Sequence, residues 1–171
     1  MKTAIAAVLS ALALVVAVQV PAKPTRPRDI LTFETMYGVD GPFVGEDHPI
    51  RDTNGDELPW TVAHGVHGRL TTDGHLKIHV RGLVFTNDDV VPPEKRGTND
   101  EDFFRARVSC LSEQGDTVAT NNVTTDGFPA TTTGDADIDA QIELPDTCVA
   151  PIIFILAGSE EKWFAVTGFE K

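Results

Sequence analysis

The chain has 171 residues, with 26 acidic against 14 basic side chains and a formal net charge of −12. So acidic a surface excludes a nucleic-acid binder or a protein held to anionic membrane by charge, because both need Lys and Arg for phosphate contacts. The length is that of one domain with a substantial core.

In chain order, Lys2 is a short positive start, Ala4 to Val18 is apolar apart from Ser10, and Val20-Pro21-Ala22 offers the modest side chains a signal peptidase reads. This pattern predicts a secretory signal peptide over residues 1–22. A membrane anchor is the competing reading, but a spanning helix needs about 20 apolar residues, and Gln19 and Pro21 break the run. The expected destination is extracellular, or periplasmic in a Gram-negative bacterium, with no stable membrane anchor. Past residue 22 the chain retains 13 basic and all 26 acidic residues, a net charge of −13. Residues 23–29 are polar and Pro-rich and read as a flexible lead-in; 30–171 reads as a single domain.

From there the hydrophobic period is two. "ILTFETMY" is the first expected strand. A long loop rich in Gly, Pro and Asp follows, and within it "IRDTNGDELPW" places Asp52, Asn54 and Asp56 at alternate positions. An EF-type calcium loop starts this way, but it needs Gly at its sixth position and a bidentate Glu at its twelfth. Counted from Asp52, those positions hold Glu57 and Ala63, so the standard motif is excluded. A looser calcium site remains, with Asp52, Asn54 and Asp56 and an added oxygen from Asp47 or Glu57. The alternative is a tight turn at Asn54-Gly55. Trp60, behind Pro59 at the loop's edge, is a candidate exposed aromatic for a ligand.

"HGRL-TTDG-HLKIHV" reads as a hairpin, with Leu76, Ile78 and Val80 inward and His75, Lys77 and His79 outward. Gly82 interrupts the phase, which signals a bulge. After a second long loop, "FFRARVSCL" sets Phe104, Ala106, Val108 and Cys110 on one face and Arg105 and Arg107 on the other. A third loop leads to "DADIDAQIEL", where Ala136, Ile138, Ala140, Ile142 and Leu144 alternate with polar residues. If these two strands pair, Arg105 and Arg107 face Asp137 and Asp139, worth about 0.2–1 kcal/mol per pair. "PIIFILAG" is apolar throughout and reads as a central strand buried on both faces. "KWFAVTGF" is the last strand.

Seven or eight short strands separated by turn chemistry, with no helical period after residue 22, predict an all-β antiparallel sandwich. The two cysteines, Cys110 and Cys148, allow one disulfide, expected in an exported chain. It closes 38 residues, worth about 4 kcal/mol by chain entropy, and its buried position suggests a bridge between sheets. Neither a redox pair nor a zinc site has the required Cys spacing.

Among the five histidines, His64 and His67 fall on opposite faces of a strand. His75 and His79 stand about 13 Å apart along one, too far for one metal, and His48 lies well upstream; a surface role is the better reading. Asn122-Val123-Thr124 is an N-glycosylation sequon, used only in a eukaryotic secretory route. No nucleophile elbow or phosphate-binding glycine loop occurs, and Ser109, Ser112 and Ser159 lack motif context. The resulting expectation is a small secreted, non-catalytic β-sandwich without a required cofactor, which binds an extracellular partner or glycan or acts structurally. A calcium-assisted carbohydrate-binding module is the first alternative, and a small secreted hydrolase without a recognisable motif the second.

Overall fold

Two antiparallel sheets face one another across a single apolar core in the computed structural model, which describes residues 26–169. The expected signal peptide over 1–22 and residues 23–25 of the lead-in lie outside the described residues. The strands are β1 (Asp29–Phe33), β2 (Met36–Gly38), β3 (Trp60–Thr71), β4 (His75–Phe85), β5 (Phe103–Gln114), β6 (Thr117–Thr124), β7 (Phe128–Pro129), β8 (Ala136–Gln141), β9 (Val149–Ala157) and β10 (Trp163–Thr167). Ten strands form where seven or eight were expected, the short β2 and β7 among them. One sheet has the order β1-β3-β4-β8. The other runs β2-β10-β9-β5-β6, with β7 alongside β5.

The first expected strand proves to be two. β1 pairs with β3 in the four-stranded sheet and β2 with β10 in the other, so the chain changes sheets within Glu34-Thr35. The lead-in is shorter than expected: Arg28 already exchanges hydrogen bonds with Thr72, at 2.8 and 3.1 Å. The β3–β4 hairpin forms as expected, closed through Gly74 at φ +84°. The Gly82 irregularity is real, but the extra residue lies opposite it: Val62 to Gly65 on β3 spans only Leu83 to Arg81 on β4.

Alternation decides what each sheet buries. Leu70, Leu76, Ile78 and Ile138 from the four-stranded sheet meet Phe104, Val108, Ile153, Ile155 and Phe164 from the other. Each fully buried side chain of this size is worth about 1.5–3 kcal/mol over its exposed state. β9 is central and its Ile153 to Ala157 are buried on both faces, as the unbroken apolar run implies.

The paired Arg–Asp ladder between "FFRARVSCL" and "DADIDAQIEL" does not form. β5 lies in the six-stranded sheet and β8 pairs with β4 in the other. Asp137 and Asp139 answer the histidines and cations of β4 instead, while Arg105 and Arg107 both reach Glu161. The disulfide Cys110–Cys148 is formed, with Cα atoms 4.9 Å apart. It does not bridge the sheets. Cys148 stands just before β9, whose Val149 pairs with Leu111 of β5, so the bond ties neighbouring strands of one sheet.

The two sheets differ in what covers their outer faces. Opposite partners in a ladder share a face, which places Arg105, Arg107, Phe154, Leu156, Trp163 and Val166 together on the outside of the six-stranded sheet. The loop between β2 and β3 folds over them. Phe43 packs on Trp163 with ring centroids 6.3 Å apart, and Thr53 Oγ1 accepts a 3.1 Å hydrogen bond from Arg107. Among the described residues no such cover lies over His67, Arg69, Lys77 and His79 on the four-stranded sheet, which line an open groove.

Candidate functional site

The stretch from Ile50 to Trp60 is structural first. Ile50 and Thr53 exchange backbone hydrogen bonds of 2.9 and 3.0 Å, and Arg51 and Asp52 between them both take positive φ, +48° and +59°. This is a mirror-image hairpin turn, three residues ahead of the expected Asn54-Gly55 turn. Asn54 and Gly55 run extended beside Trp163 instead: Trp163 N donates to Asn54 O at 2.9 Å and Asp56 N to Trp163 O at 3.1 Å. Gly55 is required for a close approach rather than a turn, because a Cβ there would strike the Phe43 carbonyl and lie 2.7 Å from a Val39 methyl.

The three residues of the expected calcium site therefore part company. Asp52 is exposed at the turn's tip, Asn54 lends its carbonyl to Trp163, and Asp56 turns inward with 8% of its surface accessible. Asp56 Oδ2 accepts from the Trp60 indole at 2.8 Å and from Leu58 N at 3.4 Å. Trp60 is only 1% exposed, stacked on Phe164 at 3.9 Å and against Phe85 at 4.0 Å. It is a core residue, not an exposed ligand platform, because it opens β3 on the inward side and Asp56 satisfies its polar N–H.

The carboxylates that do converge are Asp56, Glu57 and Glu160, with oxygens within 4.8 Å of one another. They border a cleft of about 180 Å³. Burial pushes the Asp56 carboxyl above its ordinary pKa, against the pull of the Trp60 and Leu58 hydrogen bonds; Glu160 is pushed up by burial and by the charges of Asp56 and Glu101. The cation here is Lys162, whose ammonium contacts Glu57 and lies 3.2 Å from Glu160. Glu101 is bound to Gly158 N and Ser159 Oγ, and Asp100 to Lys95 at 2.7 Å. Calcium needs six to eight oxygens; here a lysine ammonium bridges two of the three carboxylates. No local signal in the sequence could have joined Glu160 to Asp56.

The open face is built differently. β4 and β8 carry a cross-strand polar ladder: His79 Nδ1 to Asp137 at 2.6 Å, Arg81 to Asp137 at 2.9 Å, and His75 Nε2 to Asp139 at 2.7 Å. Hydrogen bonds from His79 and Arg81 hold Asp137 below its ordinary pKa, and one from His75 does the same for Asp139. His67 stacks on His79, ring centroids 4.8 Å apart. Beside them lies a groove of about 500 Å³, lined by Phe33, Glu34, His67, Arg69, Lys77 and His79 among others. Phe33 lines its floor from the strand opposite Gly68, and its half-buried ring, on the core side, occupies the space a side chain on Gly68 would need, its tip 2.6 Å from that Cβ position.

The remaining expected residues lie apart from this groove. His48 bonds the Pro42 carbonyl at 3.0 Å, and His64 flanks Gly82. Asn122 is exposed on β6, where its amide donates to Arg51 O at 3.0 Å, so the sequon occupies a strand docked to the covering loop rather than a loop. Compared with protein-family models, curated proteins and solved structures, the chain gives no match in any of the three.

Proposed function

We propose that the protein is an extracellular, non-catalytic binding module whose recognition surface is the outer face of the four-stranded sheet. One observation carries the reading. From β3 to residue 169, every Arg and Lys other than Arg69 and Lys77 contacts a carboxylate at 3.4 Å or closer. Arg69 makes no hydrogen bond or ion pair among the described residues, and Lys77 reaches Asp139 only at 3.9 Å. In a chain with 26 acidic side chains, two cations this loosely held, with only the exposed Asp139 beside them, form the surface best suited to an external ligand. The disulfide fits export to an oxidising compartment, where the N-terminal pattern would direct the chain.

The acidic cleft supports the hydrolase alternative less well, since Asp56 serves the Trp60 indole and Lys162 bridges Glu57 and Glu160. The module reading is tested by amide correlation spectra during titration with soluble polysaccharide fragments, neutral and acidic. Shifts should centre on His67, Arg69, Lys77 and His79. Binding that leaves these signals still while moving the cleft or another face overturns the assignment.

A further inference from the structure

Spacing along single strands keeps the histidines apart, but strand pairing joins two of them. His67 on β3 stands directly opposite His79 on β4, and His79 directly opposite Asp137 on β8. Partners in a ladder share a face, so the three side chains form one row across the open side of the sheet. Glu34, the residue after β1, is exposed and lines the same groove as the two imidazoles.

The two rings differ in what holds them. His79 turns Nδ1 to Asp137 at 2.6 Å. An imidazole that gives its Nδ1–H to a carboxylate keeps the Nε2 lone pair free, and metal-binding histidines are oriented in this way. His67 is exposed and makes no hydrogen bond or ion pair among the described residues, only the stack on His79 with centroids 4.8 Å apart. Two nitrogens on one tetrahedral ion lie about 3.3 Å apart, given bonds of about 2.0–2.1 Å, so rotation of the unrestrained His67 ring is what closing the pair requires. His75 has no such neighbour: Asp139 takes its Nε2 at 2.7 Å, and Thr71 meets its backbone across the hairpin.

We propose that His67 and His79 form a binding site for a divalent transition-metal ion, Cu(II) or Zn(II), with Asp137 orienting His79 and Glu34 in position to add an oxygen. Imidazole nitrogens favour these ions over calcium and magnesium, which take oxygen ligands. The charges around the row balance, Arg69, Lys77 and Arg81 against Glu34, Asp137 and Asp139, so a cation is not repelled from it. Two protein imidazoles leave the remaining positions to water or to an oxygen of an external ligand. The site requires only that this face be open, and does not depend on which larger ligand the face takes.

The test is calorimetric titration of the intact, tag-free protein with Cu(II), Zn(II) and Ca(II), together with the electron paramagnetic resonance spectrum of the Cu(II) form. Cu(II) should bind more tightly than Zn(II), with imidazole nitrogen coupling in the spectrum, and calcium should not compete. Asp137→Asn, which alters only the group orienting His79, should weaken binding about tenfold. His67→Ala and His79→Ala each remove a ligand and should weaken it further, while His75→Ala should leave it unchanged. Unchanged affinity in Glu34→Gln removes Glu34 from the site and leaves the imidazole pair. Binding untouched by His67→Ala or by His79→Ala, an equal loss in His75→Ala, or no binding of either transition metal overturns the site. A spectrum with oxygen ligands alone also overturns it and redirects the ion to Asp56, Glu57 and Glu160. Polysaccharide titration of the metal-free protein is read separately, so the failure of either reading is distinguished from the failure of the other.

Discussion

The two outer faces of the sandwich begin from the same strand geometry and end as opposites. On the six-stranded sheet the loop from 39 to 59 lies across the surface, so that Trp163 is fully buried and even Arg107 is only 9% exposed. On the four-stranded sheet none of the described residues lies across, and the same outward positions carry histidine, lysine, arginine and aspartate. Burial of polar groups requires partners, and the covered face supplies them to Arg107, which contacts Thr53, Thr124 and Glu161, though not to the indole N–H of Trp163. Its stability comes from packing. The open face gains little from its charges, since exposed pairs are worth about 0–1 kcal/mol each, and that leaves its side chains available for a ligand.

Truncating the covered face should have the largest effect. Trp163→Ala should cost about 3–5 kcal/mol, the range for an aromatic removed from a packed interior. His67→Ala on the open face should stay within about 0.5 kcal/mol. Urea unfolding of both variants measures the difference, and similar losses would erase the distinction between the faces. Removing the disulfide comes next. Cys110→Ala with Cys148→Ala should lower stability by about 2–4 kcal/mol, read by the same denaturation. The groove-lining strands lie in the other sheet, so their amide signals should hold their positions.

At the rim of the covered face, Asp56→Ala strips the Trp60 indole of its acceptor and should cost about 1–3 kcal/mol. Asp56→Asn keeps an acceptor and should behave differently with pH. The folded Asp56 carboxyl is raised by burial, so its contribution is greatest below the ordinary carboxyl range and is lost as pH rises through the raised value. The asparagine variant should therefore match or exceed the wild type at neutral pH. Thermal melts across pH 4–8 check this, and millimolar calcium should leave the wild-type midpoint unchanged, because Lys162 already holds the carboxylate cluster.

The smallest effect belongs to the open-face ladder. Asp137 is held below its ordinary value by His79 and then Arg81, so its contribution is present above about pH 3.9, the unfolded value, and is lost as pH falls through the lower folded one. Because the group is exposed, Asp137→Asn should change stability by only a few tenths of a kcal/mol. It should also flatten the acid limb of the melting profile, which added salt should mimic in the wild type.

Much of the architecture was legible in the residue pattern, and the reason is geometric. Alternation in "HLKIHV", "FFRARVSCL" and "DADIDAQ" assigns inward and outward positions without knowledge of the neighbours, since side chains on a strand alternate with period two. The apolar run from Ile152 to Ala157 could announce a strand covered on both sides. It could not say that the second cover is a loop centred on Phe43 and Thr53. The candidate sites fared differently. Asp52, Asn54 and Asp56 matched the opening of a calcium loop in spacing alone, and spacing does not reveal that a turn at Arg51-Asp52 sends Asp52 outward while Trp60 draws Asp56 inward. Trp60 looked exposed because proline and a polar loop precede it; its stacking partner Phe164 lies 104 residues further along.

By itself, then, the sequence determined the all-β class, the inward faces, the single cysteine pair and the acidity, since each follows from local periodicity or simple counting. Only the tertiary structure decided which strands pair. That choice sent Asp137 and Asp139 to the histidines of β4, split β1 from β2 between sheets, gathered Glu160 with Asp56, and set Arg69 opposite Lys77. Pairing is set by contacts between residues far apart in the chain, and no periodicity within a strand records its partner.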